Sequence, residues 1–166
     1  MQTKHLILLT LASLGQARFG QEGLIQSQIQ ALSNFGPPGA AGTLAGKTTQ
    51  VLLGGANACD KLKLADEIVA TLGPDPQVIA GAQALVAAEK NLNTFAQSQP
   101  ALCDDPALPA TPELRGIIPL VDPALDGADV QNANSAQSLA NPFNADGLSV
   151  AEVSRQQGFE NLVAQV

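Results

Sequence analysis

The sequence predicts an all-α fold: a small bundle of about four to six helices, with a Pro-rich irregular segment and one disulfide. Three observations carry that expectation. Hydrophobic residues make up 45% of the chain and aromatics only 3%. A core of Ala, Leu, Val and Ile suits closely packed helices better than a sheet sandwich, which favours β-branched and aromatic residues. Apolar positions recur at three- and four-residue spacing in several segments. Finally, there are two cysteines, Cys59 and Cys103, with no third to compete for either.

The N-terminus comes first. Lys4 and His5, the apolar run Leu6–Leu14 and the small-residue stretch Gly15-Gln16-Ala17 follow the order of a secretory signal. Residues 1–17 are expected to be removed, leaving 18–166 as a single helical domain. The apolar run is about half the ~20 residues that span a bilayer, so no transmembrane segment is expected. In an oxidising compartment Cys59 and Cys103 are expected to pair, closing a loop worth about 4 kcal/mol on the chain-entropy model. The alternative is a reactive thiol or soft-metal pair, but no histidine or further cysteine would complete such a site.

The helices follow in order. Glu22 to Phe35 sets Leu24, Ile25, Ile29, Leu32 and Phe35 at helical spacing, and Gly36-Pro37-Pro38-Gly39 ends it. A second helix is expected from Gly42 to Leu53, and a third from Ala56 to Leu72 with Gly73-Pro74 as its stop. Asp75 caps a fourth with Pro76 at its first position, and the apolar repeat continues through Phe95 and Ala96. An antiparallel turn at Gly73-Pro74 brings Cys59, near the start of the third helix, towards Cys103, just past the fourth. Six prolines then punctuate 101–145, which reads as an irregular strap with Ile117, Ile118, Leu120 and Val121 as apolar anchors. Within it Asp126–Leu139 reads as a weak polar helix. Ser149 and Glu152 have capping-box spacing, and Val150, Val153, Leu162 and Val163 support a last helix.

Several motifs resemble chemistry. Ala41-Gly42-Thr43-Leu44-Ala45-Gly46-Lys47-Thr48 matches a permissive phosphate-loop pattern. No β-branched run precedes it and no strand ending in a magnesium ligand follows, so it reads as a helix start with Lys47 solvated and no nucleotide bound. Asn144-Ala145-Asp146-Gly147 resembles part of a calcium loop, but its register places Pro142 and Val153 at the outer ligand positions, and a turn is expected instead. Asp104-Asp105 and the set Asp122, Asp126 and Asp129 are the candidates for a carboxylate-only hydrolase. Solvated turns and caps account for them better.

Composition excludes more than the motifs suggest. His5 is the only histidine and Met1 the only methionine, and the chain has no Tyr or Trp. With Lys4 removed, the net charge is one unit more negative than the −7 of the full chain. A mature chain without histidine has no Ser-His-Asp or Cys-His catalysis and no ordinary zinc site, so no cofactor is expected. An acidic chain without aromatic stacking platforms is not expected to bind nucleic acid. Enzyme activity is not expected.

The signal Met1–Ala17, the pair Cys59 and Cys103, and the Ala/Gln/Gly-rich helices between residues 22 and 98 together resemble the small secreted proteins of filamentous fungi, including those of conidial surfaces and cell walls. The resemblance implies a secreted, extracellular chain with a masking or structural role on the wall or spore surface, or an effector that binds a host protein during virulence. The chain departs from hydrophobins, which carry eight cysteines. The expected partner is a wall component or a protein, and Ile117, Ile118 and Leu120 are the candidate contact residues, or else the pins that hold the strap to the bundle.

Overall fold

A computed structural model describes residues 21–92 and 97–166. The expected signal at 1–17, and Phe95 and Ala96 of the expected fourth helix, lie outside the described residues. The chain is mostly helical. In chain order the elements are α1 (Gln21–Gln30), α2 (Ala40–Leu52), α3 (Asp60–Leu72), α4 (Pro76–Ala87), β1 (Ala101–Cys103), a single 3-10 turn (Pro112–Leu114), α5 (Ala128–Ala140), α6 (Val150–Gln156) and β2 (Val163–Gln165). Among the described residues no helix is long and apolar enough to cross a membrane.

The first four helices form the bundle. Ile25 and Ile29 of α1, Leu44 and Leu52 of α2, Leu62, Leu64 and Ile68 of α3, and Val78, Leu85 and Val86 of α4 share one buried cluster. The apolar stripe of each helix is what the others cover. Asp75 accepts from the Gln77 N–H at 2.9 Å, with Pro76 opening α4 as its sequence indicates. Gly36, at φ +67°, lets the chain turn tightly against the end of α3, where an added Cβ would press on the Thr71 carbonyl.

Four boundaries differ from the sequence expectation by more than two residues. The first helix ends at Gln30 and passes into turns before Phe35. The third begins at Asp60 rather than near Ala56. The fourth ends at Ala87, where Ala88 adopts an extended conformation (ψ 140°). The apolar spacing beyond that point therefore does not continue one long helix. Tertiary hydrogen bonds take over there: the Asn91 N–H donates to the Leu52 carbonyl at 2.8 Å, and Leu120 N–H to the Ala87 carbonyl at 2.9 Å. The last helix stops at Gln156, because Gly158 at φ +93° turns the chain and the Phe159 N–H closes back on the Ser154 carbonyl.

Leu162 and Val163 thus leave the helix. Val163–Gln165 instead forms β2, parallel to β1 with Ala101 opposite Val163 and Cys103 opposite Gln165. Among the described residues this two-stranded sheet is what the structure adds to the all-helical expectation. It brings the C-terminal segment to the start of α3, where the Gln165 side chain accepts from the Ala58 N–H at 2.8 Å.

Cys59 and Cys103 are disulfide-bonded, with their Cα atoms 4.7 Å apart and both sulfurs buried. Cys103 does not sit just past α4. α4 ends at Ala87 and Cys103 stands in β1, so the bridge fastens the minor sheet to the head of α3.

Candidate functional site

The segment 101–145 is more ordered than its prolines suggest, and most of its order comes from side chains acting on backbone. Asp66 of α3 accepts from the Ala110 and Thr111 N–H groups at 2.8 and 2.9 Å. Arg115 donates to four carbonyls, those of Pro106, Pro109, Ala145 and Leu148, at 2.7 to 3.1 Å. Prolines remove N–H groups and leave carbonyls without ladder partners, and a guanidinium with five donors suits that imbalance. Gly116 approaches the Phe143 backbone so closely that any Cβ would collide with it.

α5 is the polar helix the sequence indicated, but it turns polar residues inward. Gln131, Ser135 and Ser138 are fully buried. The Gln131 amide donates to the Pro119 carbonyl at 2.7 Å, and the Ser138 hydroxyl accepts from the Ile118 N–H at 3.2 Å. The Asn132 amide meets both the N–H and the carbonyl of Val121, at 2.8 and 3.0 Å, standing in for a paired strand.

Against this seam the candidate contact residues divide. Ile117 and Ile118 are 1% and 0% exposed and belong to the main core, so they pin the strap to the bundle and are not contact surface. Leu120 is half-buried.

The phosphate-loop lookalike lies wholly inside α2, a helix and not a loop. Lys47 forms an ion pair with Glu67 of α3 at 2.6 Å, where solvation alone was expected. Asn144 accepts from the Asp146 N–H at 3.0 Å, which makes the calcium-loop lookalike an Asx turn. Three of the five candidate aspartates, Asp104, Asp105 and Asp122, are similarly engaged. Asp104 accepts from the Ser149 hydroxyl at 2.6 Å, Asp105 from the Ala107 N–H and Asp122 from the Ala124 N–H, while Glu152 completes the capping box with Ser149. Among the described residues there is no group of three or more His, Cys, Asp or Glu placed to hold a metal ion.

The openings among the described residues include these two. A cavity of about 10 Å³, the size of a single water, lies under Arg115 between Leu108, Ala145 and Val153. An open groove of about 310 Å³ runs between the start of α2 and the end of α3, lined by Pro38, Gly39, Thr43, Leu44, Glu67 and Thr71. Its walls are small and its one charge, Glu67, is already paired with Lys47.

Sequence reasoning passed over Lys61. It lies one helical turn before Ala65 and two before Ile68, on the apolar face of α3, and that phase is the signal that marks it. It is 4% exposed, and its Nζ donates to the carbonyls of Val86 and Ala88 at 2.9 and 2.6 Å. These carbonyls lie at the C-terminal end of α4, which lacks helical partners for them. Burial, with Lys90 adding like charge against an opposing Glu89, lowers Lys61 from 10.5 to about 7. Lys90 is also lowered by burial, and its Nζ donates to the Gly54 carbonyl at 2.6 Å.

No protein-family model matches this chain, and neither the curated proteins nor the solved structures yield a match.

Proposed function

We propose that this chain is a secreted, non-enzymatic surface or cell-wall protein, of the kind filamentous fungi place on spores and walls, and that it acts by binding or masking. The observation that supports this reading most is the use made of the carboxylates. Asp66, Asp75, Asp104, Asp105, Asp122 and Glu152 hold backbone or hydroxyl groups, and Glu67 holds Lys47. A carboxylate-only hydrolase needs two such groups facing a cleft with one kept protonated. Residues that satisfy turns and caps serve the scaffold instead.

Without histidine in the mature chain, the remaining means of action is a surface held in fixed shape. The strap, fastened to α3, α5 and the turn before α6 by Asp66, Gln131 and Arg115, supplies part of that surface. Localisation of the native protein tests the proposal. Retention on washed spores or walls, released by detergent or salt rather than by wall digestion, is the expected outcome. Recovery of the whole pool in the medium during host contact would favour a diffusible effector and contradict the wall assignment.

A further inference from the structure

Cys59 and Cys103 are 1% and 2% exposed and belong to the buried cluster of the bundle, and β2 lies directly against their bridge. Gln165 stands opposite Cys103 in the parallel pair, and its carbonyl oxygen is 3.3 Å from Cys59 Sγ. A sulfur in a disulfide has no hydrogen to donate. The approach is therefore a packing contact, and the oxygen occupies ground that a nucleophile attacking Cys59 Sγ would need. β2 is itself thin. Val163, Ala164 and Val166 are exposed and Gln165 is half-buried, so water lies just behind the strand.

What holds β2 in place is mostly hydrogen bonding. The Val163 N–H donates to the Pro100 carbonyl at 2.9 Å, and the Asp104 N–H to the Gln165 carbonyl at 2.8 Å. The Ala58 N–H donates to the Gln165 side chain at 2.8 Å, and the Asn57 amide to the Val166 carbonyl at 3.1 Å. Leu162, just before the strand, is buried, whereas Val163 and Val166 are not. A segment with few buried apolar contacts and hydrogen bonds close to solvent opens locally, at a cost well below that of global unfolding.

We propose that β2 is a gate over the Cys59–Cys103 bridge: closed, it shields the disulfide, and lifted, it admits a dithiol reductant to Cys59 Sγ. One thiolate of the reductant bonds to Cys59 Sγ, and the S–S bond breaks with its electron pair leaving on Cys103. The second thiol then displaces Cys59 from the mixed disulfide. The reductant departs as its own disulfide, and its two protons end on Cys59 and Cys103. Reduction unties β1 from the head of α3, so the gate controls whether the minor sheet stays fastened to the bundle.

The test uses the intact, folded chain with dithiothreitol as the dithiol, at fixed pH, and counts free thiols by alkylation and mass spectrometry. Below the unfolding transition the reduction rate is expected to rise only weakly with urea, because local opening exposes little surface. A urea dependence equal to that of global unfolding would overturn the gate, since the bridge would then be reached only in the unfolded chain. A rate equal to that of an open-chain peptide disulfide would also overturn it, since β2 would shield nothing. Gln165→Pro removes the acceptor of the Ala58 N–H and one N–H of the strand, and is expected to speed reduction about tenfold. Ile29→Val weakens the bundle core in α1 and is expected to leave the rate unchanged, because it destabilises the closed and lifted forms alike. No acceleration in Gln165→Pro, or equal acceleration in Ile29→Val, would overturn the proposal. If Gln165→Pro does not fold, the urea dependence of the unaltered protein and the Ile29→Val rate decide the matter.

Discussion

Arg115 shows how much of this molecule rests on single side chains. One guanidinium gathers four carbonyls from two parts of the strap and from the turn before α6. Replacing it with Met keeps the stem but leaves these acceptors without a donor. Each charge-assisted bond is worth about 1.5–3 kcal/mol and the losses overlap, so Arg115→Met is expected to lower the unfolding free energy by about 3 kcal/mol in urea denaturation. Ile117 and Ile118 act through packing. Ile118→Ala is expected to cost about 3 kcal/mol, because its site is fully buried and closes poorly around a smaller side chain. The same substitution at half-buried Leu120 is expected to cost markedly less. Equal losses at Ile118 and Leu120 would contradict this division of the strap into pins and surface.

At the scale of elements, α6 is the clearest case of local design. Ser149 and Glu152 form a reciprocal capping box, and the Ser149 hydroxyl also donates to Asp104 beside β1. Ser149→Ala therefore removes a cap and a cross-link together, and a loss of about 2 kcal/mol in thermal or urea unfolding is expected. Such caps were legible because they depend on residues three apart, as at Ser149/Glu152, or adjacent, as at Asp75-Pro76. The core faces of α3 and α4 were legible for a related reason: Leu64, Ile68, Val78 and Leu85 repeat at the helical period. What sequence alone did not reveal depends on distant partners. The continuing apolar spacing at Leu92 gave no sign that α4 would end at Ala87, because the carbonyls there are taken by Lys61 and the strap. β2 was hidden for the same reason: Val163 pairs with a strand some sixty residues earlier. The inward face of α5 was hidden by its polar composition, since Gln131 and Ser138 satisfy strap backbone rather than water.

For the whole molecule, the disulfide and the buried Lys61 both act at the head of α3. The Cys59–Cys103 bridge ties the head of that helix to β1 and, through β2, to the C-terminal segment. Replacing both cysteines with Ser is expected to cost about 4 kcal/mol, with most of the helical circular dichroism kept, because the bundle core is continuous without the bridge. Two free thiols in the protein isolated without reductant would remove that tie from the account. The proposed function rests on a scaffold in which Asp66, Asp75, Asp104, Asp105, Asp122 and Glu152 hold turns, caps and cross-links, and whose surface acts by contact. Incubating the purified protein with intact walls, and following bound protein and released sugar or peptide together, tests this most directly. Saturable binding with no released product is the predicted result. Product that accumulates with time, and is abolished by changing one carboxylate in a variant that still folds, would contradict it.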